Sequence, residues 1–155
     1  MPFIGEALDA VKKRLGRKKL RIFDAFSGSG AVARYFKSHA ELLLVNDLEA
    51  YSQTINRCYL ANADELPQRE LREIHGGLLH RLREEPLRKG FIAELYAPQD
   101  EEDIKSGERV FYTPRNAMFI DTARQYIEEV APALQHFFIA PLLSQASVHE
   151  YCRGV

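Results

Sequence analysis

Two short apolar runs, Leu20-Arg21-Ile22-Phe23 and Glu41-Leu42-Leu43-Leu44-Val45, stand out in a chain whose other hydrophobic positions mostly recur at helical spacing. The second run is uninterrupted, which predicts a strand covered on both faces, as in a parallel sheet. Between them Ala31-Val32-Ala33-Arg34-Tyr35-Phe36 reads as the first turns of a helix. Ahead of them, Glu6 to Leu15 puts Leu8, Val11 and Leu15 on one side of an amphipathic helix. Glu49 to Asn62 forms another, with Tyr51, Ile55, Cys58 and Tyr59 facing inward. After Pro67 a charged helix carries Leu71, Ile74, Leu78 and Leu82. Gly76-Gly77 weakens it, since each glycine costs up to about 1 kcal/mol relative to alanine. Asp100-Glu101-Glu102-Asp103 and Ser106-Gly107 mark an acidic loop. Asn116 reads as the N-cap of a helix packing Ile120, Ala123, Ile127 and Val130. Phe137 to Ala146 is helical too, with Pro141 either kinking the helix or restarting it.

Asp24-Ala25-Phe26-Ser27-Gly28-Ser29-Gly30 joins the first strand to the helix that follows. A strand that breaks through glycines into a helix presents backbone N–H groups suited to a phosphate or a carboxylate. Asp24 sets a negative charge beside them. A ligand with both a carboxylate and an ammonium answers both, and S-adenosylmethionine is the candidate. Gly28-x-Gly30-x-x-Ala33 also satisfies the dinucleotide fingerprint, so NAD is an alternative, and a tight turn without ligand is a third. Asp47 follows the second strand and lies on the same sheet edge as Gly28 and Gly30, because such sheets bind ligands beyond the carboxyl ends of their strands. It either accepts two hydroxyl hydrogen bonds from a ribose or caps the helix from Glu49, and both roles can hold at once.

Taken in order, these stretches resemble the Dam-like group of DNA adenine-N6 methyltransferases, from Pro2 to roughly Glu150. Pro2-Phe3-Ile4-Gly5 is similar to the group's N-terminal motif, which packs over the methionine end of the donor. Asp24-x-Phe26-x-Gly28-x-Gly30 resembles its donor-binding loop, and Asn46-Asp47 the acid that holds the ribose. Phe111-Tyr112-Thr113-Pro114-x-Asn116, Ile120-Asp121-x-x-Arg124 and Ala140-Pro141-Leu142-Leu143 look like the segment leading toward its target-recognition region. The resemblance implies an α/β, Rossmann-like S-adenosylmethionine-dependent fold, incomplete here, with a truncated sheet and a helical insertion. It also implies a donor site of Phe3, Gly5, Asp24, Phe26, Ser27, Gly28, Gly30 and Asp47. The partner implied for the full-length enzyme is double-stranded DNA, methylated on the exocyclic amine of adenine in a restriction–modification system or a mobile element. No metal is expected, because the sulfonium is already an activated electrophile.

The chain departs from the family in one respect. No two of its 7 prolines are adjacent, so the Asp-Pro-Pro-Tyr or Asn-Pro-Pro-Tyr tetrapeptide that presents the extruded adenine is missing. No catalytic residue is therefore assigned, and the chain alone is expected to be inactive. Residues 1–64 read as the donor-binding start of the domain and 65–106 as a helical insertion, either a DNA-contacting lobe or scaffold. Residues 107–150 read as the segment leading to the recognition region. Residues 151–155, Tyr-Cys-Arg-Gly-Val, read as an aberrant tail where relatives continue Asn-Thr-x-Gly-Val. The loss of adenines from an adenine-rich coding tract would produce it, so a frameshift is the expectation and a chosen boundary the alternative. A catalytically silent nucleotide-binding or protein-interaction module is the other class of function.

Composition adds bounds. A chain of 155 residues can bury roughly two-thirds of its surface. A formal net charge of −1 gives no global pull toward DNA, so any such contact must come from local patches. The basic cluster Lys12, Lys13, Arg14, Arg17, Lys18, Lys19 and Arg21 reads as the solvated end of a helix or as a phosphate contact. Arg115 and Arg124 are better placed for DNA, by analogy. Cys58 and Cys152 give neither metal spacing nor a disulfide framework, and Cys58 reads as core. With no signal peptide and no membrane-length apolar run, a cytoplasmic location is expected.

Overall fold

The computed structural model describes residues 2–147, so the tail at 151–155 and Cys152 lie outside the described residues. The chain divides into two compact units, Met1–Asn62 and Ala63–Val155. The first is a small α/β unit and the second is helical.

In the first unit, α1 (Pro2–Leu15) leads to β1 (Leu20–Asp24), α2 (Ala31–Lys37), β2 (Ala40–Val45) and α3 (Ala50–Tyr59). Helix α1 begins at Pro2 rather than Glu6, since proline is well tolerated in a first helical turn, where its missing N–H would have no partner. It ends on Gly16 at φ 63°, with Gly16 N–H donating to the Lys13 carbonyl and Arg17 N–H to that of Lys12. This glycine-closed pattern satisfies carbonyls the helix leaves open. Only Leu8 of its predicted apolar side is buried, and Val11 and Leu15 are exposed.

Strands β1 and β2 are parallel and pair Ile22 with Leu43 and Asp24 with Val45. Among the described residues they are the whole sheet. The prediction of cover on both faces is corrected here. Phe23 (64% exposed), Leu44 (54%) and Leu42 are open to solvent, while α2 packs against both strands. A continuous apolar run thus reports what a strand is suited to bury, not what covers it.

Helix α3 carries a second correction. Its buried residues are Ser52 and Asn56, and Tyr51 is exposed. Cys58 is half-buried, and burial pushes its thiol pKa up.

A single 3-10 turn (Ala63–Glu65) opens the second unit, followed by α4 (Gln68–Glu84), α5 (Phe91–Leu95), α6 (Pro114–Glu128) and α7 (His136–Ala146). Helix α4 runs unbroken through Gly76-Gly77, both of which face open space. Helix α6 packs against α4, α5 and α7 and buries Ala117, Asp121, Thr122, Ala123, Tyr126 and Ile127. Its N-cap is Thr113, whose hydroxyl accepts from Asn116 N–H, with Pro114 at the first helical position. Asn116 is therefore inside the helix, because Thr-Pro is the stronger start signal. Helix α7 continues through Pro141 without restarting, although Pro141 has no N–H for the carbonyl one turn back. Helix α5 was not anticipated.

Candidate donor and nucleic-acid sites

The glycine loop leaves β1 at Asp24, and backbone bonds tie it to the residues following β2. Asn46 N–H donates to the Asp24 carbonyl (2.8 Å) and Ser27 N–H to the Asn46 carbonyl (3.0 Å). Gly28 and Gly30 sit at φ 49° and 70°, the left-handed region that glycine adopts without penalty. Gly30 N–H closes the turn on the Ser27 carbonyl at 2.7 Å. Asp47 reaches the loop from the far side of β2. Its Oδ2 accepts from Gly28 N–H at 2.7 Å and its Oδ1 from Glu49 N–H at 3.0 Å. The amides of Glu49, Gly28 and Leu48 hold its pKa below the ordinary carboxylate value, so it is ionised at neutral pH. Each oxygen still has a lone pair to offer.

Three loop amides are thus used within the protein, which changes the sequence expectation of a cradle of free N–H groups. The unmatched group is instead an acceptor. Asp24 Oδ2 is buried and has no hydrogen-bond partner, uncommon for a carboxylate oxygen. An ammonium or hydroxyl donor would satisfy it. Asp24, Ser27, Gly28, Gly30 and Asp47 are brought together. Phe26 is on the loop with its ring in solvent (89% exposed), and Phe3 is exposed on the first turn of α1. Gly5 faces Tyr35, where a methyl group would come within 2.8 Å of the hydroxyl, so its lack of a side chain lets α1 approach α2.

Sequence reasoning missed Ser52 and Asn56. Asn56 Nδ2 donates to Ser27 Oγ (2.9 Å), to the Ser52 carbonyl (3.0 Å) and to Ser52 Oγ (3.1 Å). With Ser27, Asn46 and Asp47 these residues line a cleft of about 480 Å³ beside the loop. The available signal was a pair of polar residues four apart on one stripe of α3.

The basic cluster lies at the opposite end of this unit. Lys12 Nζ is 2.8 Å from His39 Nδ1 and Arg17 pairs with Glu41, both partners at the start of β2.

In the second unit a cleft of about 710 Å³ is lined by Arg83, Glu85, Tyr112, Arg115, Asn116 and Phe119, among others. Arg83 and Arg115 have no ion-pair partner among the described residues. Arg124, by contrast, pairs with Glu128 at 3.1 Å. Glu85 is held by the Tyr126 hydroxyl (2.7 Å) and by Arg81 (3.0 Å), which together keep its carboxyl below the usual range. Asp121 is partnered on both oxygens. It accepts from Gly90, Ile92 and Ala93 N–H at 2.8–3.0 Å and so caps α5 from another helix. No group of three or more potential metal ligands is found among the described residues, nor any helix long and apolar enough to cross a membrane.

A glycine-turn strand unit with an acid at the end of one strand and just past the other, followed by a helical unit, is an arrangement suited to nucleotide-type ligands. The chain belongs to the family of D12 class N6 adenine-specific DNA methyltransferases, whose model matches residues 1–143. It is 33% identical over 130 residues to the type II methyltransferase M.NlaIII of Neisseria lactamica, an alignment covering 79% of this chain and 35% of that protein. The chain therefore spans about a third of the length of the curated relative it matches. No solved structure matches it.

Proposed function

We propose that this chain supplies the S-adenosylmethionine-binding and DNA-contacting parts of a site-specific adenine-N6 DNA methyltransferase acting in the cytoplasm. The observation that carries the reading is the buried, donorless Oδ2 of Asp24 at the glycine loop of a chain in this family. It suits the ammonium of the methyl donor, and because a ribose hydroxyl of NAD is also a donor, the family match is what favours the methyl donor over NAD. Asp47, ionised and with lone pairs to spare, would take the ribose hydroxyls. Gly28 and Gly30 would let the backbone approach the ligand, and Phe3, Gly5, Phe26 and Ser27 would complete the pocket. Once bound, the donor supplies an activated methyl group on sulfur.

The two-stranded parallel sheet, joined through α2, supports a partial Rossmann-like fold. We assign residues 1–64 to donor binding and 65–106, with 107–150, to DNA contact. Arg83 and Arg115 flank the larger cleft and would meet phosphates, with Phe119 offering an aromatic face. The transfer step is not assigned to this chain, because the sequence has no Asp-Pro-Pro-Tyr to hold the target amine.

Calorimetry with S-adenosylhomocysteine and with NAD tests the reading, and binding of the first alone is expected. Binding of neither, or of NAD alone, overturns it. Duplex affinity measured against salt tests the DNA surface, and Arg83→Ala and Arg115→Ala should each reduce the log–log slope by about one.

A further inference from the structure

We propose that Asn56 is a positioning residue for the glycine loop, setting from α3 the loop shape on which donor binding depends. This rests on the donor reading given above. Asn56 is buried (6% exposed) in the first unit, and its amide nitrogen is saturated by Ser27 Oγ, Ser52 Oγ and the Ser52 carbonyl. Ser27 Oγ passes the constraint on, lying 3.2 Å from the Asn46 carbonyl, which also receives Ser27 N–H. The loop is thus fixed from within at Ser27 and from the other side at Gly28 by Asp47.

The other end of the amide has a different task. Asn56 Oδ1 is buried without a hydrogen-bond donor, and a Cβ on Gly30 would stand only 2.6 Å from it. That oxygen fills the space a side chain at residue 30 would need. A buried carbonyl without a donor costs free energy, so its retention here fits a role in shaping the loop rather than in stabilising the fold. Gly30 is therefore required twice over: by its left-handed φ of 70° and by the closeness of Asn56.

The test uses the full chain with S-adenosylhomocysteine as probe. Asn56→Ala should weaken binding by about tenfold and quicken amide hydrogen exchange at Ser27, Gly28 and Gly30, while exchange in α6 stays unchanged. Thr54→Ala, on the same helix but bonded only to the Ala50 carbonyl and not to the loop, should leave affinity within about twofold. Gly30→Ala should bind poorly, and Gly30→Ala combined with Asn56→Ala should bind better than Gly30→Ala alone. The proposal is overturned if Asn56→Ala keeps parental affinity and loop exchange, or if the double variant gains nothing over Gly30→Ala. If the parent chain binds no S-adenosylhomocysteine, the donor reading fails instead. Loop exchange, which needs no ligand, still decides whether Asn56 holds the loop.

Discussion

Asp24 and Asp121 both stand in segments that resemble family motifs, one in each unit, yet their surroundings are opposite. Asp121 is buried and spends its carboxylate on three amides of the α5 start. Asp24 ends a strand with one oxygen buried and unmatched. An acid partnered on both oxygens holds the fold together, whereas Asp24 keeps an oxygen that a ligand donor can take. Residue type and motif membership do not separate the two roles. Hydrogen-bond saturation does.

The contrast is broken most directly at Asp121. Asp121→Ala leaves one buried and two half-buried amides without an acceptor and should cost about 2–4 kcal/mol of stability, read by urea denaturation. A change under about 1 kcal/mol would mean that α5 does not depend on this cap.

Asp24→Asn should behave in the opposite way. Affinity for S-adenosylhomocysteine should fall by about 10- to 100-fold through loss of a charge-assisted bond to the ligand. Stability should stay within about 1 kcal/mol of the parent, because Oδ2 makes no hydrogen bond in the folded chain for the change to break. Parental affinity in Asp24→Asn would place the ligand elsewhere.

Part of this was legible in the sequence. The two strands appear within a residue or so of where their apolar runs lie, and the loop with Asp24, Gly28, Gly30 and Asp47 was readable because glycine and acid spacing are local. Helix α5 was not legible, since its cap comes from Asp121, about thirty positions further on, and no local signal marks Gly90 as a helix start. The inward face of α3 was misread for a related reason. Hydrophobic periodicity assumes that buried positions are apolar, and Ser52 and Asn56 are buried to bond a loop. The missing cover on the sheet is not readable from the apolar run itself, which carries no information about its neighbours; the expected truncation of the sheet is what points to it.

The smallest expected effect concerns acid. Glu85 is depressed first by the Tyr126 hydroxyl and then by Arg81, and Glu129 is depressed by Arg81, both from an ordinary value of 4.5. A carboxyl depressed in the folded state contributes stability that is present above its unfolded value and is lost as pH falls through the folded one. The melting midpoint of the chain should therefore decline by a few degrees as pH drops below about 4.5. In Tyr126→Phe part of that decline should disappear. An identical acid profile in the variant would remove Tyr126 from the linkage and leave Arg81 as its cause.

The bare side of the two-stranded sheet bears on how this polypeptide behaves in a tube. Phe23, Leu42 and Leu44 make a greasy stripe beside strand margins that have no partners among the described residues. Such a stripe is a seed for clumping as concentration rises. Dilute handling, or a charged residue in place of Leu44, should keep the chain dispersed while leaving the glycine turn untouched.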